Sequence, residues 1–273
     1  MPVDPELRTL DIDIPTPPQA LVQLSLLMAE DDLNLSAMSH LVESDMALAS
    51  AVLKAVNSSL YGLKGRVQNV HQAITYLGMR EIAAITLEFG LRAAFPPVPE
   101  LDPVWKRAAH RGMLMGRMGQ QLGIDPWGSH SAGLFEECGK AVLFRHAPDH
   151  YRSMWRAAAN DQELVMFEHT GFGVSHDALG AALCESWGLA PASVASVRWH
   201  VQFQATNELP EQVQRRTVCA LSAVAYALMS APQTLEDCAL KVAPQALLDS
   251  TLILRAARSV SEQLENGDDE QGS

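Results

Sequence analysis

Apolar residues recur along this chain at three- and four-residue intervals, the spacing of one face of an α-helix. Ala20, Leu21, Leu24, Leu27 and Met28 share a face behind Pro17 and Pro18, which suit a first helical turn. Asn34 and Asp45 are placed to cap two further helices, one carrying Leu35, Met38, Leu41 and Val42, the other Leu48, Ala51, Val52, Ala55 and Val56. A turn-rich connector, NSSLYGLKGRVQN, follows. Val70, Ala73, Ile74 and Leu77 then predict a fourth helix stopped by Gly78, and Ile82, Ile85 and Phe89 a fifth.

Four prolines in FPPVPELDP, residues 95–103, break any helix and mark the best internal boundary. Beyond it, Asp102-Pro103 and Asp125-Pro126 both read as a cap followed by a first-turn proline. The helix after Pro103 runs to about Leu122 and stops at Gly123; Ala109, Gly112, Gly116 and Gly119 leave room on it for a neighbouring backbone. Tyr151, Met154, Trp155 and Ala158 continue the helical pattern, as do Leu179, Ala182, Leu183 and Ser186, and then Val194, Val197 and Val201. Residues 211–230 and 245–264 predict two more helices. No sustained period-two alternation occurs, and no hairpin turn has strand-like flanks. The chain reads as all-α, with about a dozen helices.

Charge narrows the partners. The net charge is −12, of which −3 lies in residues 1–13 and −5 in residues 262–273, leaving a nearly balanced body. No large basic field is present to draw in nucleic acid or an anionic membrane. The acidic tail 262–273 is expected to be disordered and solvated. The uncharged stretch from Thr217 to Leu235 approaches membrane-span length, but Ser222, Ser230 and Pro232 favour a buried helix. Acids and prolines at the N-terminus do not suit a signal peptide. Cys138, Cys184, Cys219 and Cys238 fit neither a zinc module nor a disulfide framework. A cytoplasmic protein with reduced, buried thiols is the expectation.

Several residues bear chemistry without forming a recognisable catalytic pattern. Ser175-His176-Asp177 cannot be a triad, because consecutive side chains diverge; Ser175 is expected to cap the helix that follows. Gly171 and Gly173 lack the preceding strand and the trailing GK[ST] of a phosphate loop. Asn57, Tyr61 and Gly62 suit, in turn, closing a helix by hydrogen bonds, packing, and a left-handed turn.

The segments IPTPPQALVQLSLLMAEDDLNLSAMSHLVESDMALASAVLKAVNSSLYG and VQNVHQAITYLGMREI, followed by AGLFEECGKAVL and GFGVSHDALGAALCESWGLAPASVASVRWHV, resemble in order and spacing the HDOD domain, an HD-related output domain of bacterial signalling proteins. The resemblance covers about residues 14–203. It implies an HD-like helical bundle: an N-terminal helical lobe over 14–95 and an HD-phosphohydrolase-like lobe over 101–209. The helices in 210–261, beyond the resemblance, are expected to pack on the latter. The resemblance implies a non-catalytic regulatory role through protein–protein contacts, with no metal and no cofactor. It also implies signalling partners in trans: receiver, histidine kinase or cyclic di-GMP modules.

In the HD superfamily, a histidine and a His-Asp pair bind divalent ions that activate water. By the resemblance the His-Asp pair falls on Glu136-Glu137, and the earlier histidine on Arg107. Arginine cannot ligate a metal. Arg107 is therefore expected to pair with Glu136 or Glu137 where the ion once sat. Two rivals stay open. A rearranged phosphohydrolase site can be drawn from His110, Glu136, Glu137, His176 and His200, and a nucleotide or small-molecule pocket from Arg107 and Lys140.

Overall fold

The structure is a computed structural model that describes residues 12–30, 34–58, 61, 63 and 65–269. Gly62, most of the N-terminal acidic segment 1–13 and the last residues of the acidic tail lie outside them. Among the described residues there are α-helices and short 3-10 turns but no strands. The chain divides into two compact units. One holds the described part of Met1–Thr16 together with Phe95–Arg258; the other holds Pro17–Ala94 with the described part of Ser259–Ser273.

The second unit contains α1 (Gln19–Met28), α2 (Leu35–Glu43), α3 (Met46–Val56), α4 (Val70–Leu77) and α5 (Met79–Ala93). Their starts follow the polar residues the sequence offers. Asn34, Asp45 and Asn69 each accept a backbone N–H from the first turn of the helix they precede. Gly78 ends α4 and opens α5 with φ +83°, a conformation that suits glycine. Asn57 closes α3: its amide donates to Leu53 O and Val67 O while its carbonyl accepts from Val67 N, tying down the connector. Tyr61 donates its hydroxyl proton to Glu81.

The larger unit contains α6 (Asp102–Leu122), α7 (Pro126–Phe135), α8 (Cys138–His146), α9 (Pro148–Ala157), α10 (Asp161–Phe172), α11 (His176–Ser186), α12 (Pro191–Thr206), α13 (Val213–Ser230) and α14 (Leu235–Gln245). α13 packs on α6, α7 and α12. No helix among the described residues is long and apolar enough to cross a membrane.

Several boundaries differ from expectation. Asp102 is inside the first turn of α6, and Leu101 holds the cap position without a side-chain bond. Ser175 holds the cap position of α11, but its hydroxyl bonds the Asp177 carboxylate rather than a backbone N–H. The segment expected to be helical from residue 245 instead contains the end of α14, a turn, and α15 (Ser250–Asp269), which Asp249 caps through Thr251 N and Leu252 N. α15 runs into the acidic segment expected to be disordered from residue 262, and Leu264 on it is buried.

Two glycines set the helix crossings that matter most. A Cβ on Gly133 of α7 would lie 2.9 Å from the Arg111 carbonyl of α6. A Cβ on Gly139 of α8 would lie 1.8 Å from the backbone oxygen of His176 on α11. No neighbour there is a flexible side chain, so the helices touch backbone to backbone. Gly112 and Gly116 of α6 likewise accommodate His130 of α7.

Two stability predictions follow from this geometry. Gly139→Ala should destabilise the protein by about 3 kcal/mol, because two backbones must part. Leu247→Gly should have the opposite sign. Leu247 holds φ +58° just past α14 with its side chain 81% exposed, so glycine relieves strain and removes no packing. A gain of about 0.5–1 kcal/mol is expected. Urea unfolding midpoints read both changes.

Candidate functional site

Arg107 and Arg111 lie one turn apart on α6 and so share a face. Glu136 and Glu137 occupy the link between α7 and α8, which Gly133 and Gly139 press against α6 and α11. Arg111 Nη1 donates to Glu136 Oε2 at 2.8 Å, and both side chains are buried. Its Nη2 lies 3.5 Å from Glu137 Oε1. Arg107, 44% exposed, grips Glu137 with two donors: Nε to Oε1 at 3.1 Å and Nη2 to Oε2 at 2.5 Å. Lys140, one turn along α8, reaches Asp161 of α10 at 2.7 Å and Glu137 at 3.6 Å. Three cations thus face three carboxylates, with Arg107 and Asp161 on the solvent side and Arg111 and Glu136 inside.

α12 closes the inner wall with a polar stripe at helical spacing: Ser196, His200 and Gln204. Ser196 Oγ donates to Glu136 Oε1 at 3.3 Å and Gln204 Nε2 to its Oε2 at 3.4 Å. The His200 ring, between them on the stripe, lies 5.4 Å centroid to centroid from that of His176. His176 is held by Glu168 of α10, which accepts from both its backbone N–H and its Nδ1 at 2.8 Å. Tyr151 donates its hydroxyl proton to the same carboxylate at 2.7 Å.

Electrostatics follow from these contacts. Burial alone would push the Glu137 carboxyl up, but Lys140, Arg107 and Arg111 outweigh it and hold it far below the usual carboxylate range. Asp161 behaves likewise, with Lys140 overcoming burial and bringing it down to about 2. The two histidines part company. Burial lowers His200, although Glu136 opposes it. Burial also acts on His176, yet the Glu168 carboxylate overrides it and the imidazole is raised. Val197 O accepts from His200 Nδ1 at 2.7 Å, so neutral His200 carries its proton there and Nε2 is a bare acceptor. Nε2 of His176 and Nε2 of His200 are both buried without a partner.

Of the expected residues, the structure brings Arg107, Glu136, Glu137, Lys140, His176 and His200 into one polar centre. Arg111, next to His110 in the chain, is a side chain of α6 that bonds Glu136. Arg111, Asp161, Glu168, Tyr151, Ser196 and Gln204 were not anticipated. Two signals were legible. The Ser196, His200, Gln204 stripe has helical spacing. Asn160 with Glu163 has the spacing of a reciprocal cap, and Asn160 does accept from Glu163 N while Glu163 accepts from Ala159 N.

A family model for the HDOD domain matches residues 14–203. The chain belongs to the HDOD domain family. Solved structures with the same HDOD architecture include an HDOD domain protein of unknown function from Geobacter sulfurreducens, 18% identical, with TM-score 0.71 over 96% of this chain and 95% of that one. A protein from Marinobacter aquaeolei VT8, named for signal transduction, is 20% identical with TM-score 0.73 over 97% of this chain and 62% of that one. A protein from Shewanella amazonensis SB2B, named as a candidate phosphohydrolase, is 18% identical with TM-score 0.70 over 96% of both chains. An uncharacterised protein of Treponema pallidum (strain Nichols) is 24% identical over 197 residues, 69% of this chain. The HDOD chain spans 37% of that relative's length.

HD-superfamily chemistry implies a divalent ion at this centre, and the donor set does not fit one. The carboxylates of Glu136 and Glu137 already bond guanidinium groups, and a dication would sit against Arg107, Arg111 and Lys140. Among the described residues no three His, Cys, Asp or Glu side chains converge as metal ligands.

Breaking the inner pair should be costly. Arg111→Ala or Glu136→Ala strands a buried charge, so each should lose about 3–5 kcal/mol, whereas Arg111→Met with Glu136→Leu should recover most of it. Denaturant unfolding of the four proteins reads these differences. The histidines give a pH prediction. By histidine-ring NMR, His176 should titrate above the ordinary 6.5 and His200 below it. A raised folded-state value means that the stability His176 contributes is complete below pH 6.5 and is lost as pH rises through its folded value. The stability difference from His176→Gln should therefore shrink as pH increases.

Proposed function

We propose that this HDOD protein is a non-catalytic regulatory component of bacterial signal transduction, working in the cytoplasm through protein–protein contacts. The observation that carries the reading is the buried Arg111–Glu136 pair, with Arg107 and Lys140 on Glu137; of these, Arg107, Glu136 and Glu137 stand at positions that by resemblance would hold the HD metal. Fixed cations there do the ion's electrostatic work of neutralising the carboxylates. They supply no activated water, which is what the hydrolytic chemistry requires of a metal. The near-balanced charge of the body suits protein partners better than nucleic acid. Receiver, histidine kinase or cyclic di-GMP proteins in trans are the partners to test. The neighbours' names point both to signalling and to hydrolysis, and at 18–20% identity they bear on the fold alone.

A second reading has one observation behind it. The neighbouring, unpartnered Nε2 atoms of His176 and His200 offer hydrogen-bonding positions to a small guest, beside the Arg107 and Lys140 of the receptor alternative.

The deciding experiment is elemental analysis of the purified, unchelated chain alongside phosphoester turnover with added Mn²⁺ and Mg²⁺. No stoichiometric metal and no turnover are expected, with capture of a signalling protein by the immobilised chain. One or two divalent ions per chain, with turnover abolished by Glu136→Gln, would overturn the reading.

A further inference from the structure

Residues 12–16 lie on the larger unit as a strap outside any helix. Trp187, at the end of α11, donates its indole N–H to Pro15 O at 2.8 Å, and Pro15 is buried. Beneath the indole, Phe135 stands edge-on at 5.5 Å between ring centroids. Two residues before Pro15, Asp13 meets Arg145 of α8 at 2.5 Å, although Asp13 is 78% exposed. Beyond Pro15 come Thr16, Pro17 and Pro18, and Pro18 has polyproline backbone angles, φ −54° and ψ 140°.

The chemistry of strap and surface is matched. Pro15 has no backbone donor, and the two strap groups that bond the surface, the Pro15 carbonyl and the Asp13 carboxylate, are both acceptors. The surface offers two donors, an indole N–H and a guanidinium, over an aromatic floor. Prolines also pre-set the extended conformation and cut the entropy cost of docking. Among the described residues, Trp187 and Arg145 supply the polar contacts that hold the strap, one of them largely solvent-exposed. A segment held so lightly opens at low free energy. Once it leaves, Trp187 bares an unpaired donor on an apolar face, which a segment of the same kind would satisfy.

We propose that the Trp187–Arg145 face is a docking groove for an extended acidic, proline-containing peptide, occupied in cis by residues 12–16 and open to a partner protein's segment of the same chemistry. The strap is then a built-in competitor. Tethered ligands act at effective concentrations on the order of millimolar, so only a partner with further contacts, or a loosened strap, exposes the groove. The proposal names a surface for the protein-contact reading above but is tested apart from it. Peptide binding here does not depend on metal content or turnover, so either can fail alone.

The test uses the full chain with Asp13→Lys and Pro15→Gly, and the synthetic peptide Asp-Ile-Asp-Ile-Pro-Thr-Pro-Pro, the sequence of residues 11–18. The readout is the assigned indole ¹H–¹⁵N resonance of Trp187. In the variant it should move away from its parent position. The peptide should return it, saturating at about millimolar or below. A peptide with Lys in place of the second Asp should bind roughly five-fold more weakly, and in a chain carrying Arg145→Glu with Pro15→Gly, where the retained Asp13 is repelled, that preference should reverse. An unmoved Trp187 signal in a folded variant, or one the peptide does not restore, would reduce the strap to plain structure and overturn the proposal. If the double variant does not fold, Asp13→Lys alone, at an exposed position, is scored the same way.

Discussion

The fold of the larger unit is arranged around the bond between Arg111 and Glu136. An ion pair taken out of water stabilises only when geometry is close and the remaining lone pairs are filled. Both conditions depend on backbone contact elsewhere. Gly133 lets α7 lie against α6 beside Arg111, which brings the carboxylate at the end of α7 to 2.8 Å from the guanidinium. Gly139 lets α8 lie on α11 and fixes where Glu137 and Lys140 sit. α12 then contributes Ser196 and Gln204 to the other lone pairs of Glu136. A side chain at either glycine would separate the helices by more than a hydrogen bond tolerates.

Behind this pair is a second polar layer with different physics. Tyr151, Glu168 and His176 form a buried chain in which one carboxylate serves three donors. That carboxylate keeps a proton on His176, while the neighbouring His200 is kept neutral by burial. The two rings touch but differ in charge preference, because the Glu168 carboxylate faces one and only burial dominates the other. Only the inner layer can change its charge near neutral pH.

Helix-level structure was legible because capping residues and apolar spacing agree locally: Asn34, Asp45 and Gly78 all act where the pattern placed them. Arg107 was readable through the family pattern. Arg111 was not, because a mid-helix arginine in a polar sequence looks solvated until the facing carboxylate is known. α10 was missed for a related reason. It buries little besides Leu164 and Glu168, one apolar and one acidic, so its periodicity is faint although its cap was written in Asn160 and Glu163. The centre's inner residues come from α6, α9, α10, α11, α12 and the α7–α8 link, and no local signal joins Glu136 to Ser196 or His176 to Glu168.

The ion-pair centre and the strap groove share the same two helices. α8 carries Lys140 in its first turn and Arg145 in its last; α11 begins at His176 and ends beside Trp187. At 1.5 Å rise per residue the centre and groove ends of α11 are about 16 Å apart. The Gly139 contact joins the two helices near their N-terminal ends, so they cannot slide past one another without parting backbones. A change of charge or packing at the centre would then reach the groove as a rigid displacement of both Arg145 and Trp187. Such coupling needs an element with two discrete arrangements, and a rigid helix pair is not one by itself. The strap is better suited to that part: it is either seated on Trp187 or released. The centre holds the two helices in place, and the choice between states falls to residues 12–16.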